Sequence, residues 1–138
     1  MSSRDVPIGI ASEQSGVKVP TIRYYEDVGL LPKASRSKSN RRRYGTADVH
    51  RLIFIRRARE LGFDLVAIRD LLALRENPEQ TCLPACEIAR ARLGEIERRI
   101  EVLVMLKAEL ESMIHGCSGE RVAECRVMEA LASPLASR

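Results

Sequence analysis

The chain has 138 residues, of which 45% are hydrophobic and 30% are charged, and its formal net charge is +4. This length suffices for one modest domain with an extension, and the composition excludes a disordered chain. No apolar run is long enough to span a bilayer, and the first residues lack the order of a signal peptide, so we expect a cytoplasmic protein without a membrane partner.

Cysteine is the residue type whose chemistry constrains function most. The four cysteines are Cys82, Cys86, Cys117 and Cys125. Because thiols stay reduced in the cytoplasm, we expect them to bind a soft metal ion or to sense redox state rather than to form structural disulfides. The sequence has no glycine-rich phosphate loop, and neither His50 nor His115 has a plausible catalytic partner nearby. We therefore do not expect an enzyme.

The first elements in chain order are two short predicted helices, at residues 7–16 and 19–28. Gly16 and Val17 form the connection between them, and Gly29 ends the second helix. Two short helices joined by such a turn are typical of a helix-turn-helix.

A basic stretch, KASRSKSNRRR, follows at residues 33–43. Its cationic residues are Lys33, Arg36, Lys38, Arg41, Arg42 and Arg43, and it contains no acid. Serine, asparagine and basic residues favour a hairpin loop, or wing, over a helix. The charge favours a polyanion as partner, with a solvated mobile loop as the alternative.

Two further helices are predicted at 47–61 and 65–75, with Thr46 and Asp64 as their N-caps. The residues predicted to face inward are Val49, Leu52, Ile53, Ile55 and Leu61 in the first, and Leu65, Ile68, Leu71 and Leu72 in the second. Asn77 and Pro78 mark a boundary, so residues 1–76 are predicted to form one domain.

A long helix is predicted from about Pro84 to Gly116, within a linker and dimerisation segment at residues 77–116. Its apolar positions are Ala89, Leu93, Ile96, Ile100, Leu103, Leu106, Leu110 and Met113. Steps of three and four residues approach a heptad seam, and the opposite face is charged. A helix of roughly 45 Å with one apolar stripe needs a partner. We expect a second copy of the chain; the alternative is that the helix folds back on its own domain.

The last segment, residues 117–138, is predicted to form a loop and a short helix at 126–132. Cys117 and Cys125 bracket the loop, and Ser118 and Gly119 make it flexible enough to bring both sulfurs to one ion. The apolar side chains predicted to anchor the last helix are Val127, Met128 and Leu131.

TIRYYEDVGLLP at residues 21–32, followed by Asn40, Arg43 and Tyr44 and then by DVHRLIFIRRARELGFDLVAIRDLL at 48–72, resembles the MerR family of bacterial transcription regulators. The resemblance implies a mainly α fold with a winged helix-turn-helix, an antiparallel coiled-coil homodimer and an effector loop. It also implies binding to palindromic promoter DNA with an overlong spacer. The activated dimer of the family distorts that DNA, and so acts on RNA polymerase indirectly.

The DNA-binding residues expected by this resemblance lie on the second helix and the wing. They are Arg23, Tyr24, Tyr25, Asn40, Arg41, Arg42, Arg43 and Tyr44. The second helix of a helix-turn-helix enters the major groove, where Arg23 can reach a guanine edge or a phosphate. One of the adjacent tyrosines should face inward, and we expect Tyr25 rather than Tyr24 to reach phosphate.

The resemblance extends to the heavy-metal-responsive branch of the family. In an antiparallel dimer, Cys82 of one chain meets Cys117 and Cys125 of the other. Copper(I)-type sensors typically carry serine at the position of Cys82, whereas zinc, cadmium, lead and mercury sensors carry cysteine. Two thiolates suit a linear monovalent ion and a divalent ion needs three or four ligands, so a divalent effector is expected. The seven-residue loop spacing resembles the copper type, and copper(I) remains an alternative.

Two further residues are candidate ligands. Cys86 lies four residues after Cys82 and could complete a four-sulfur site, or it could pack as a small apolar residue. His115 could supply a nitrogen ligand, or could simply end the long helix. A different class, a thiol redox regulator, would form a disulfide between Cys117 and Cys125 on oxidation.

Overall fold

A computed structural model describes residues 5–36, 42–119 and 121–134. The chain divides into two compact units, Met1–Ile88 and Ala89–Arg138, and each is described by itself. Among the described residues, no helix combines the length and the apolar character needed to cross a membrane.

The first unit begins with the predicted helix-turn-helix. Helix α1 spans Ile8–Ser15 and helix α2 spans Val19–Asp27, and the predictions for both helices are confirmed. Gly16 ends α1 with a φ of 78°, in the left-handed region that glycine adopts at least cost. A Cβ at Gly16 would lie 3.1 Å from Nε of Arg56, so the arginine side chain would have to shift by a few tenths of an ångström to accommodate another residue.

The wing is a two-stranded antiparallel hairpin, as the sequence predicts. Strand β1 is Ser35–Arg36 and strand β2 is Arg42–Arg43, with Ser35 opposite Arg43 and Arg36 opposite Arg42. The tip of the hairpin, residues 37–41, lies outside the described residues, and with it the predicted contacts Asn40 and Arg41.

Helices α3, Thr46–Glu60, and α4, Leu65–Arg75, complete the first unit. The prediction that Thr46 caps α3 is wrong, because Gly45 is the N-cap and Thr46 is the first helical residue. The carboxylate of Asp48 accepts a hydrogen bond from the Gly45 amide at 2.9 Å, which satisfies a donor at the helix start. The predicted cap of α4 is confirmed, since Asp64 accepts from the Ala67 amide at 2.8 Å.

The core of the first unit is aliphatic and joins all four helices. Its buried apolar residues are Ala11, Val17, Ile22, Tyr25, Leu30, Leu31, Tyr44, Val49, Leu52, Ile55, Ala58, Ile68 and Leu72. Full burial of each large side chain contributes about 1.5–3 kcal/mol. Ile53 and Leu61 were expected to face inward but are exposed, because the core side of α3 is the face of Leu52 and Ile55. Together with Phe54, they line an open apolar groove of about 480 Å³.

Helix α5, Leu83–His115, confirms the long predicted helix and starts one residue before Pro84. In the second unit it is followed by a loop, by a short 3₁₀ turn at Val122–Glu124 and by helix α6, Arg126–Ala132. None of the residues of α5, all of which are described, is buried. The predicted anchor of α6 is also open in the single chain, where Met128 and Leu131 are exposed.

Candidate nucleic-acid interface and thiol centre

Helix α2 separates its side chains into a buried and an exposed face. Ile22, Tyr25 and Glu26 are buried, whereas Arg23 and Tyr24 are exposed. An exposed guanidinium beside an exposed phenol provides donors for phosphate or base edges. The outer face of α2 is therefore suited to DNA.

The preference for Tyr25 over Tyr24 as the outward tyrosine is wrong. Tyr25 is 6% exposed and Tyr24 is 47% exposed. Ile22 and Tyr25 lie three residues apart on the side of the helix that packs on the core, so the ring of Tyr24 falls on the other side. Burial raises the pKa of the Tyr25 phenol, and the positive charge of Arg59 partly offsets this effect.

Tyr44 was expected to contact DNA, and the structure instead places it in the core with no exposed surface. Its backbone forms an isolated antiparallel bridge with Val6, with N–H to O distances of 2.7 and 2.8 Å. Because this bridge fixes the chain just after the wing, the ring turns inward. Tyr44 thus holds the end of the wing against the core.

The described arginine of the wing has a structural contact of its own. Nη2 of Arg43 donates to the backbone carbonyl of Asp5 at 2.6 Å and so ties β2 to the start of the chain. A guanidinium has five N–H donors, so this bond leaves others for a phosphate. The side chain of Arg42 lies outside the described atoms.

Several residues that hold α2 in place were not predicted from the sequence. The buried carboxylate of Glu26 accepts from the Ala34 amide at 3.1 Å, which links α2 to the start of the wing. The arginines that donate to backbone carbonyls at the ends of α1 and α2 are Arg56 to Ser15 at 3.0 Å, Arg69 to Val28 at 2.7 Å and Arg51 to Leu30 at 2.6 Å. These partners lie 21 to 41 residues apart, so no local signal reveals them.

Cys82 and Cys86 form the first thiol pair. Cys82 directly precedes α5, and its carbonyl accepts the Cys86 amide at 3.0 Å in the first helical turn. Pro84 is tolerated there because a proline at the start of a helix removes no hydrogen bond. The two sulfurs lie 3.9 Å apart, so the structure brings this pair together.

Cys117 and Cys125 form the second pair, also with sulfurs 3.9 Å apart. Cys117 follows the end of α5, and Cys125 is the N-cap of α6. Gly119, at φ 79°, turns the loop between them. The loop and the 3₁₀ turn thus bring the two sulfurs together, as the sequence predicts.

The pKa of the Cys125 thiol is lowered, chiefly by the backbone N–H of Met128. Desolvation has the next largest effect and opposes the shift, and the backbone N–H of Val127 and the Cys117 side chain lower the pKa further. These amides belong to the first turn of α6 and make no cap hydrogen bond of ordinary geometry to the sulfur. Backbone N–H groups that face a sulfur at a helix start favour the thiolate over the neutral thiol. A thiolate is the form that binds metal.

Among the described residues, neither pair acquires a third ligand within its own unit. Among the residues that the structure describes, no group of three or more Cys, His, Asp or Glu side chains could hold a metal ion. His115 therefore does not join Cys117 and Cys125 in this arrangement. Each pair thus brings two sulfurs together without a third ligand among the described residues.

The fold and the outer face of α2 define a class, the winged helix-turn-helix DNA-binding proteins. Comparison with known families narrows this class. A family described as "MerR HTH family regulatory protein" matches residues 6–74, and a second, "MerR, DNA binding", matches residues 49–113. The chain belongs to the MerR family of helix-turn-helix transcription regulators.

Individual relatives resemble the chain over most of its length. It is 42% identical over 124 residues to the HTH-type transcriptional regulator HmrR of Rhizobium leguminosarum bv. viciae, covering 90% of this chain and 95% of that protein. It is 38% identical over 126 residues to heavy metal-dependent transcription regulator 2 of Rhizobium meliloti, covering 91% and 86%.

A solved structure extends the comparison to the fold. The transcription regulator PbrR691 from Ralstonia metallidurans CH34, in complex with lead(II), is 34% identical, with a TM-score of 0.80. The match covers 92% of this chain and 99% of that one. These similarities confirm the resemblance to the heavy-metal branch of the family.

Proposed function

We propose that this chain is a dimeric, metal-responsive transcription regulator whose effector is a divalent soft ion bound by cysteines of both subunits. Cys82 of one protomer would share the ion with Cys117 and Cys125 of the other. The observation that carries the proposal is the preformed pair of Cys117 and Cys125, with sulfurs 3.9 Å apart and no third ligand among the described residues of its own unit.

The dimer is supported by the unburied stripe of α5. The exposed apolar residues on the predicted seam are Leu93, Ile100, Leu103, Leu106 and Leu110. A stripe of this length at heptad spacing is the surface that a second helix covers in a coiled coil. Exposure of so many large apolar side chains on one helix is unusual for a monomer.

The ion class follows from counting ligands. Thiolates select soft ions, and a divalent ion of this kind takes three or four ligands. Cys117 and Cys125 supply two, and Cys82 of a partner subunit would supply the third. The lead(II) complex of the similar PbrR691 supports a divalent effector, with zinc, cadmium and mercury as the other candidates.

The bound ion would crosslink thiolates that are otherwise separate. The chain would supply the helices that this crosslink holds. Because Cys125 caps α6, its fixation would hold the start of that helix, and Cys117 would hold the end of α5. A change of this kind affects DNA only if one arrangement of the dimer binds the ion better than the other.

The DNA side of the proposal rests on the outer face of α2 and on the wing. Arg23 and Tyr24 would contact the operator, and Arg43 would contact phosphate with the donors that Asp5 leaves open. A two-fold dimer would bind a two-fold promoter site. Ion-loaded dimer would distort that DNA and so present it to RNA polymerase in the cytoplasm, with specificity resting partly on deformability.

Two variants test the proposal by separating its two halves. Cys82→Ser removes the shared ligand, so we expect loss of metal-dependent activation in a promoter reporter with operator affinity unchanged. Arg23→Ala removes a DNA contact, so operator affinity should fall by about 1–3 kcal/mol with metal stoichiometry unchanged. Arg90→Ala, which removes the same charge from an exposed site on α5, serves as the control.

The same reporter distinguishes the alternatives. Activation of the Cys82→Ser variant by zinc, cadmium or lead would contradict the shared site. Activation by copper(I) alone would favour a two-sulfur copper sensor, and activation by peroxide without metal would favour a thiol redox regulator. Unchanged operator affinity in Arg23→Ala would remove α2 from the DNA interface.

A further inference from the structure

Cys86 is a thiol that the three-ligand site does not use. It lies one helical turn after Cys82 and is only partly buried. The hydrogen bond from its amide to the Cys82 carbonyl fixes both residues in the first turn of α5. Its sulfur is therefore held on the same side of the helix start as the sulfur of Cys82.

The distance between these sulfurs suits two ligands of one ion in a trigonal or tetrahedral site, and it is too short for a linear site. In a tetrahedral site with zinc–sulfur bonds of about 2.3 Å, two sulfurs lie about 3.8 Å apart. In a linear site with bonds of that length they would lie about 4.6 Å apart. The Cys82 and Cys86 sulfurs are 3.9 Å apart, and so are those of Cys117 and Cys125. Each pair therefore has the span of two sulfurs that chelate one ion, and the two pairs together would supply four sulfurs.

A small apolar role for Cys86 does not account for this geometry. A packing residue turns its side chain towards apolar neighbours, whereas the Cys86 sulfur lies at contact distance from another sulfur. Cys86 is moreover outside the core cluster of the first unit. A chelating pair explains both observations.

We infer that Cys86 is a fourth thiolate ligand, so that each effector ion sits between two dithiols in a four-sulfur tetrahedral site. The inference rests on the proposed function, since the second dithiol would come from the partner subunit. It deepens that function by setting the ion class: a tetrahedral four-thiolate site favours zinc and cadmium over ions that prefer two or three sulfurs.

X-ray absorption of the zinc-loaded full-length dimer tests the inference by counting sulfurs around the ion. We expect four in the wild-type protein and three in Cys86→Ser and Cys86→Ala. Zinc affinity should fall by about 10- to 100-fold or more, the range that even loss of a supporting group produces at metal sites. Ala85→Ser, at the neighbouring and equally half-buried helix position, should retain four sulfurs.

Each outcome decides one point. Three sulfurs in both the wild-type protein and Cys86→Ser would overturn the role of Cys86 and leave the shared three-sulfur site standing, whereas four in Cys86→Ser would contradict both. A sulfur count that does not change in Cys82→Ser and Cys117→Ser would instead overturn the proposed function itself. The number of sulfurs around zinc in the wild-type protein is informative by itself. The test therefore remains decisive even if a variant fails to fold.

Discussion

Cys125, a proposed metal ligand, shows at the scale of one residue how the fold alters the chemistry of a side chain. The N–H dipoles at the start of α6, with Met128 first, lower the pKa of its thiol. A lowered pKa means a larger thiolate fraction at any pH below the midpoint of titration, and hence faster alkylation there.

We expect a variant that retains Cys125 alone, with serine at Cys82, Cys86 and Cys117, to react with iodoacetamide at a lower pH midpoint when folded than when unfolded in urea. The main cause of the shift is the backbone, so it survives loss of the Cys117 side chain. Equal midpoints in the two states would show that the helix start has no effect on the sulfur.

Residue by residue, the sequence predicts what is local and misses what is not. Asp64 was recognised as a cap because its bond reaches only to Ala67. The choice between Tyr24 and Tyr25 was wrong, although the sequence contains a signal for it, because Tyr25 lies three residues after the buried Ile22 and so shares its face of α2. The buried carboxylate of Glu26 could not be anticipated, since its partner Ala34 depends on how the wing leaves α2.

At the scale of elements, helix α5 carries the argument for self-association. Leu103 is 62% exposed on the predicted seam, and Glu101 lies on the charged face. A lysine on the seam would be buried without a partner charge in a coiled coil, which costs far more than a lysine on the solvent side.

We therefore expect Leu103→Lys to shift the protein from dimer to monomer, measured by light scattering over a range of concentrations. Glu101→Lys, which introduces the same side chain on the other face, should remain dimeric. A dimeric Leu103→Lys variant with unchanged dissociation constant would exclude this stripe as the interface.

The elements themselves were largely predictable, because their ends carry local signals. Gly16 and Asp64 set helix boundaries, and the three- and four-residue steps of the apolar positions continue from Ala89 to Met113 within α5. Helix α3 starts one residue earlier than predicted. The Asp48 carboxylate accepts a hydrogen bond from the Gly45 amide, so Gly45 is the cap and Thr46 is the first helical residue. The spacing of the cysteines in the sequence predicts the two thiol pairs in outline. The equal distance between the two sulfurs of each pair depends on the turn at Cys82 and on the loop geometry around Gly119.

At the scale of the whole molecule, the proposed effector site takes its ligands from two chains. Such a shared site would explain why neither dithiol gains a third ligand within its own unit among the described residues. A site shared between subunits also couples effector binding to the relation between two DNA-binding domains. That coupling is what a regulator of this family needs.

Mixing two inactive variants tests this claim most directly. Cys82→Ser and Cys117→Ser homodimers each lack a ligand in both shared sites, whereas a heterodimer of the two retains one complete site, with Cys82 from one chain and Cys117 from the other. We expect co-expressed, doubly tagged heterodimer to bind one zinc ion per dimer with near wild-type affinity, while both homodimers bind zinc weakly. A heterodimer that binds zinc no better than either homodimer would contradict the account, because ligands drawn from a single chain would leave both of its sites incomplete.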